Sequence, residues 1–511
     1  MSETSAAQRI RRMLTSDVGV LILLAVARIA FQTAFNGRYG WHRDELAVLD
    51  DAKHLAWGYV VYPPVTPFIC RVSLVLFGPS LVMLRVFALL AQGAGMVLSG
   101  LMARELGAKR FWQVMAALAA AVAPASLASG TMFEYVSFDY VWWVLIAYFM
   151  IRLLKSDDAR WWLAIGATIG LGAMTKYTMA FYVAAIVGAV LLTNARRYLR
   201  SPWLWCGVAI SILIFLPNLL WEVRHNFISL DFLKFIHARD MRAGRTSGFL
   251  LDQLWVDTNP VTVPICLAGL YYFLFAPDGK RYRAIGWMYV ITLALFAIAK
   301  GRDYYVSPAY PMLLAGGAAW ISQWLAAQPE PRVITVRNTT WHSIAISGVC
   351  VAALVMPIPS PRSRWFAIAD KVNGNFNEEF GWQEMTAEVA RVRDSLPSED
   401  RAHLGILAGD AGEAGALNLY GPAYGLPNAI SGSNSHWLRG YGNPPPETLI
   451  VVGIQKYHLD PVFESVEWAG HFESQYGIDN SAIGNDHEDV FVCRGLRQPW
   501  PEIWKNFHWF G

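Results

Sequence analysis

The sequence is short of charge. Only 16% of its 511 residues are Asp, Glu, Lys or Arg, where a soluble globular chain carries about 25%. With 55% hydrophobic residues and a mean hydropathy of +0.31, that deficit excludes a disordered chain and argues against a purely soluble enzyme. Cysteine is scarce too. Of the five present only Cys493 lies beyond residue 357, so no disulfide can form within the polar tail, and no CxxC spacing appears. There is no Walker A sequence, no GxGxxG after a strand and no HExxH, so an internal nucleotide site is not supported. A signal-peptide cleavage motif is missing as well. After Arg9, Arg11 and Arg12 the apolar stretch 18–35 is broken only by Arg28 and Gln32, and it is expected to stay as a first transmembrane helix.

The charge that is present is unevenly spread. Residues 358–511 hold 20 acidic and 11 basic residues, while residues 1–357 hold 19 acidic and 31 basic ones. The chain thus divides into an apolar, basic part, 1–357, and a polar, acidic tail, 358–511. A bilayer core of about 30 Å calls for about 20 apolar residues per helix. Eleven spans are expected, near 17–35, 81–103, 111–130, 138–154, 161–175, 178–193, 203–221, 251–275, 284–299, 307–325 and 341–357. The apolar piece 63–77 reads as a surface or re-entrant segment. Threading alternately from a cytoplasmic N-terminus puts the basic connections 9–12, 104–110, 155–160, 194–202, 278–283 and 331–337 inside, each with at least two basic residues. The acidic tail of this multi-pass membrane protein then falls outside, in the periplasm or its equivalent.

Most of the unusual polar residues fall on that outer face. Asp44 and Glu45 follow the first span, flanked by His42 and Arg43. Adjacent carboxylates there either cap a surface helix or act as a general base on an acceptor hydroxyl. Asp139 opens the span after FEYVSF, with Glu134 upstream on the same loop. It reads as a cap or as a second acid that orients the acceptor, and such acids would also suit a divalent cation. Lys176 interrupts an apolar hairpin with no acid nearby in sequence; it either snorkels or offers a point charge to a phosphate. Lys300 and Arg302, followed by Tyr304 and Tyr305, repeat that chemistry at another helix end. The long loop 222–250 is expected to hold an amphipathic helix in the headgroups or to touch substrate.

These segments resemble a family. HRDELAVLDDAKHLAWGYVVYPPVTP, SLVMLRVFALL, ARELGAKRFWQ, SFDYVWW, TKYT, RSPWLW, FLPNLLW and YYVSPAYP are similar to the bacterial glycosyltransferase family 39 proteins. Those proteins are related to the protein mannosyltransferases and the lipid A aminoarabinose transferases, which share the GT-C fold. The resemblance covers essentially the whole chain, tail pieces such as GDAGEAGALNLYG and LPNAISGSNSHWLRG included. It implies a membrane α-helical GT-C fold of about eleven transmembrane helices, followed by a soluble mixed α/β domain. It implies an inverting transfer from a polyprenyl-phosphate sugar donor to an extracytoplasmic acceptor. By position, Asp44 with Glu45 matches the catalytic acid of the first outer loop and Asp139 that of the second. Lys176, Lys300 and Arg302 would bind phosphate, with His42, Glu134, Tyr304 and Tyr305 as further substrate contacts. The tail lacks the MIR-type domain of the eukaryotic members, which weighs against a protein acceptor.

In the tail, helical spacing is expected over 382–396 and buried strands over 403–409, 448–453 and 490–495, with 421–446 as one long loop. Two other classes compete with the enzyme: a transporter or lipid flippase carrying a periplasmic domain, and a membrane scaffold whose tail recruits a partner. A transporter would show repeats among its spans and ionisable groups at mid-depth. Membrane lipids are the expected surroundings, and nothing calls for nucleic acid.

Overall fold

A computed structural model describes residues 15–484 and 487–511; the basic residues Arg9, Arg11 and Arg12 lie outside them. The chain forms two compact units: Met1–Phe35, Arg85–Arg224 and His237–Met356 in one, and Asn36–Leu84, His225–Ile236 and Pro357–Gly511 in the other.

The first unit is helical. Among the described residues of the whole chain, five helices are long and apolar enough to cross a membrane: Leu81–Glu105, Tyr135–Ser156, Pro202–Arg224, Lys280–Ile298 and Glu330–Val355. A sixth arises if Met179–Leu192 and Asn194–Arg200, bent by 103°, count as one span. This is fewer than the eleven expected, and proline and helix length explain the difference. The stretch 111–130 breaks into Arg110–Ala121 and Pro124–Ser129, and 251–275 breaks at a π-helical turn, Gln253–Asp257, before restarting at Pro260. Helix Tyr310–Leu325 has 16 residues, or about 24 Å at 1.5 Å per residue, short of a bilayer core.

The two polar residues of the first apolar stretch are used internally. Arg28 donates to the Ser126 carbonyl at 2.8 Å and to the Gln32 side chain at 3.0 Å, and Gln32 donates to the Leu127 carbonyl at 3.1 Å. They tie the stretch to Pro124–Ser129, meeting the rule that polar groups in a bundle must find partners. Helices Trp161–Ala173 and Pro202–Arg224 meet through glycine. A Cβ on Gly166 would lie 2.0 Å from the Gly207 carbonyl oxygen, so only glycine permits that approach.

The second unit carries a five-stranded sheet in the order β2-β1-β3-β5-β4. Its strands are β1 (Leu404–Ala408), β2 (Ala429–Ser431), β3 (Thr448–Val452), β4 (Phe463–His471) and β5 (Asp489–Leu496). β1 runs parallel to β2 and β3, with Ile406 opposite Ala429 and Ile450; β5 runs antiparallel to β3 and β4. Leu407, Leu449, Val451, Phe491, Cys493, Trp500 and Trp504 form the core on it, so Cys493 serves as a small apolar residue. The expected helix appears as Trp382–Ser395 and the three expected strands as β1, β3 and β5. The stretch 421–446 is not one loop: it contains β2 and the short helix Asn434–Trp437. The same unit holds helices Arg43–Asp51 and Val65–Phe77. Tyr39 is buried in an aromatic cluster with Phe366, Phe376 and Phe380 of the tail.

Candidate functional site

In the second unit, the HRDEL segment makes a helix start in which each group has a defined job. The His42 Nδ1 accepts the Asp44 backbone N–H at 3.1 Å, and the Glu45 Oε2 accepts the His42 N–H at 2.9 Å, closing a capping box. Glu45, expected beside Asp44 as a catalytic acid, is fully buried in this cap. His42, expected to touch substrate, is the buried N-cap. Asp44 alone of the pair reaches solvent, its side chain 44% exposed, with the Arg43 Nε 3.3 Å from its Oδ1.

A carboxylate that sequence reasoning did not single out joins them. Glu378 Oε2 lies 3.1 Å from the His42 Nε2 and 3.7 Å from the Arg43 Nε. Burial would raise the Glu378 carboxyl, but the close His42 ring and the Arg43 charge outweigh it and hold the group below the usual glutamate range. The paired acids of FNEEF were the signal that could have pointed to it. Asp410 also faces Arg43; burial, the larger effect, raises its carboxyl.

The far end of the same helix is tied down by the tail as well. Arg439 bridges Asp50 and Asp51. Tyr62 donates to Asp51 at 2.6 Å, and Asn418 donates to Asp50 at 3.2 Å. The His436 Nε2 is 3.4 Å from Asp50. Burial pushes Asp51 up to about 6, against the Arg439 charge, and burial with Arg439 pushes His436 down to about 3, so that ring is neutral. Between these anchors the helix lies against Ala411–Tyr420. A Cβ on Gly412 would lie 2.3 Å from the Arg43 Cγ, and one on Gly415 would lie 2.4 Å from the Leu46 carbonyl oxygen. The glycines and alanines of GDAGEAGA are what this approach requires.

In the first unit, Asp139 is not a cap. The helix Tyr135–Ser156 begins one turn earlier with Glu134 as N-cap residue, and Asp139 is buried, accepting from the Trp143 indole at 3.0 Å and the Thr178 hydroxyl at 3.5 Å. Lys176 sits in the turn between two apolar helices and is 8% exposed. Its ammonium lies 4.0 Å from the Tyr305 ring centre, 5.3 Å from Tyr135 and 5.5 Å from Tyr304. Among the described residues it makes no ion pair; three ring faces surround it. An ammonium at the centre of a bilayer helix costs about 2.5–3.5 kcal/mol by insertion scales, and cation–π contacts offset part of that.

Arg302 belongs to this group and Lys300 does not. Arg302 forks onto Asp240, Nε to Oδ2 at 2.6 Å and Nη2 to Oδ1 at 3.0 Å, and reaches the Tyr304 hydroxyl at 3.2 Å. Arg245 and Arg239 lie 3.7 and 3.9 Å from the same carboxylate, so three guanidiniums gather at Asp240. Lys300 takes the left-handed turn that ends the preceding helix, at φ 50°, and its side chain is exposed. Of the expected group Lys176, Lys300 and Arg302, the structure brings Lys176 and Arg302 to the same tyrosines and leaves Lys300 apart.

Residues 61–221 match the family model described as dolichyl-phosphate-mannose-protein mannosyltransferase. The lipid A galacturonosyltransferase RgtD of Rhizobium johnstonii is 24% identical over 42% of this chain and 43% of its own, so the match spans less than half of that relative. ArnT from Cupriavidus metallidurans bound to undecaprenyl phosphate superposes with a TM-score of 0.54 at 16% identity, over 93% of this chain and 97% of that one. The archaeal oligosaccharyltransferase AglB from Archaeoglobus fulgidus, in complex with an inhibitory peptide and a dolichol-phosphate, gives 0.50 at 11% identity, over 86% and 69%. The chain has the fold of these GT-C proteins, and the family resemblance read from its motifs holds.

Proposed function

We propose that this chain is an inverting membrane glycosyltransferase that moves a sugar from a polyprenyl-phosphate donor to an extracytoplasmic hydroxyl, on a lipid, a glycan or a protein. The observation that carries the reading is Lys176: a buried ammonium held among tyrosine faces, with no ion-pair partner among the described residues, suits an anion brought by a ligand. Support comes from the structural neighbour bound to undecaprenyl phosphate and from a relative named for transfer to lipid A.

In this mechanism Asp44 takes the acceptor hydroxyl proton as the oxygen bonds to the anomeric carbon. The bond from that carbon to the phosphate oxygen breaks with inversion, and the polyprenyl phosphate leaves with the electron pair. Its charge grows by one as it departs, so Lys176 and the Arg302 cluster matter most in the transition state. Asp139, fixed by Trp143 and Thr178, and Glu134 orient the sugar or the acceptor. Residues 1–357 form the membrane part, and residues 358–511 the domain outside it.

The test is release of polyprenyl phosphate by the purified protein from a panel of polyprenyl-phosphate sugars. Release that depends on Asp44 is expected. A chain that releases nothing from any donor, yet moves lipid across vesicles, is a flippase and not this enzyme.

A further inference from the structure

The apolar stretch 251–275 of the first unit breaks at the π-helical turn Gln253–Asp257, and such turns gather at functional sites. The break leaves a buried carboxylate. Asp257 is 1% exposed, and neither of its oxygens has a hydrogen-bond partner among the described residues. The Gln253 amide lies near, but it spends its protons on the Phe249 and Asp303 carbonyls, at 3.0 and 3.2 Å. The charges that act on Asp257 are those of Asp303 and Asp252, both acids, which repel it. A buried charge persists where it is paired or holds an ion of opposite sign.

Asp257 lines a cavity together with Tyr140, Thr258, Thr262, Ser307 and Tyr310. The space open to the centre of a water-sized sphere is about 10 Å³, room for one water or one bare ion. A hydroxyl has one proton and two lone pairs. Thr262 spends its proton on the Asn259 carbonyl at 2.8 Å, Thr258 on the Gln253 carbonyl at 2.9 Å, and Tyr310 on the Gln253 Oε1 at 3.1 Å. These three walls have lone pairs left to offer and no protons, which suits a cation beside the carboxylate. Every donor is a hard oxygen, and such sets select hard cations. Magnesium keeps several of its waters and calcium takes about six to eight oxygens, often several carboxylates among them. Neither fits a one-body cavity with one acid in its wall.

We propose that the Asp257 cavity binds one dehydrated alkali-metal cation, sodium or potassium. The ion joins the broken stretch, through Asp257, Thr258 and Thr262, to Ser307 of Asp303–Ala309, the segment that carries Tyr304 and Tyr305. It is a structural ion with no part in bond making, and its binding does not depend on whether the chain transfers a sugar.

The experiment uses the full chain, purified in detergent in choline chloride. It measures binding of radiolabelled sodium and of radiolabelled rubidium, which stands in for potassium. The wild type should bind one ion per chain, saturably. Unlabelled alkali chloride should displace it and choline chloride should not, and the label that binds more tightly names the ion. That ion should also raise the melting midpoint by about 2–4 °C over choline at equal ionic strength. Asp257→Asn, nearly the same shape without the charge, should bind neither label and melt alike in both salts. Thr262→Val, which keeps the shape and loses one oxygen, should bind about tenfold more weakly or worse. No saturable binding of either label overturns the proposal and leaves a water or a neutral carboxyl in the cavity. Binding that survives in Asp257→Asn puts the ion elsewhere and overturns it too, as does a wild-type midpoint equal in alkali and choline salts. If Asp257→Asn does not fold, Thr262→Val decides, and an affinity equal to the wild type's overturns the proposal.

Discussion

Around the Arg43–Asp51 helix, charges are matched within the protein: His42 and Arg43 with Glu378, and Arg439 with Asp50 and Asp51. Around Lys176 no carboxylate closes an ion pair among the described residues, and Asp139 and Glu134 act on it only from farther off. The ammonium faces tyrosine rings, and next to it Arg302, Arg245 and Arg239 gather at Asp240. Matched charges hold an element still; their removal disturbs geometry. A surplus of one sign is a receptor; its removal disturbs what is bound. Two cationic residues or two acids that look alike in sequence therefore belong to different parts of the mechanism, and substitution can tell them apart.

The largest effect should come from Asp44→Asn. It removes the one acid of the pair that faces solvent, and a lost general base costs about 10²–10⁴-fold in rate. The capping box runs through His42 and Glu45, so the variant should melt where the wild type does. Near-normal polyprenyl phosphate release would return Asp44 to a surface role. Lys176→Met should follow. A charge-assisted hydrogen bond to the leaving phosphate is worth about 1.5–3 kcal/mol, or about one to two decades in kcat. Methionine fills the same space among the rings, so a folded protein with an unchanged rate would take Lys176 out of the reaction.

Matched charges also make a pH prediction. His436 is pushed down to about 3 by burial and Arg439, so the folded state refuses a proton that the unfolded ring accepts below its ordinary value of about 6.5. Its contribution to stability is present above that value and is lost as pH falls toward 3. Asp50, held below the ordinary aspartate range by its cationic neighbours, Arg439 and Lys53 among them, against burial, acts in the same direction as pH falls. Asp51, pushed up to about 6, acts oppositely: its contribution is full below the ordinary aspartate value and is lost as pH rises through 6. The melting midpoint should therefore drop on acidification, and His436→Gln should flatten that drop. Equal slopes in thermal melts across that window would show that the ring is not the source.

How far the site was legible depended on distance along the chain. The capping box lies within four consecutive residues of HRDEL, yet Glu45 was expected as a catalytic acid, because a capping carboxylate and a catalytic one look alike in sequence. Lys176 was legible because a lysine in an apolar hairpin is conspicuous. Glu378 and Arg439 were not, because their partners lie more than 300 residues earlier and a surface acid or arginine in a polar tail is ordinary. The adjacent acids Asp50 and Asp51 were the one local hint that a base had to come from elsewhere. In the fold, strands β1, β3 and β5 read as buried apolar runs. β4, at the sheet edge with Trp468 and Glu467 facing outward, carries no such run, and β2 has only three residues. The helix breaks at Pro124 and Pro260 turned on proline positions that an apolar count passes over.

Lys300 and Arg302 give the sharpest form of the comparison because sequence makes them a pair. Both follow the same apolar helix, both are basic on a face where basic residues are unexpected, and both precede the tyrosines. The structure separates them. Arg302 is mostly buried, forked on Asp240 and bonded to the Tyr304 hydroxyl, next to the ring that faces Lys176. Lys300 occupies the left-handed position that ends the helix and points to solvent. Arg302→Ala should leave Asp240 with the more distant Arg239 and Arg245 and loosen the tyrosines, lowering kcat by about tenfold, the cost of one charged hydrogen bond. Lys300→Ala should react at the wild-type rate. Lys300→Gly should match or exceed wild-type stability by a few tenths of a kcal/mol, since glycine takes a positive φ without strain. Rates per folded molecule for the three variants, with thermal melts beside them, decide the matter. A loss in Lys300→Ala equal to that in Arg302→Ala would mean that exposure does not separate structural from functional charge here.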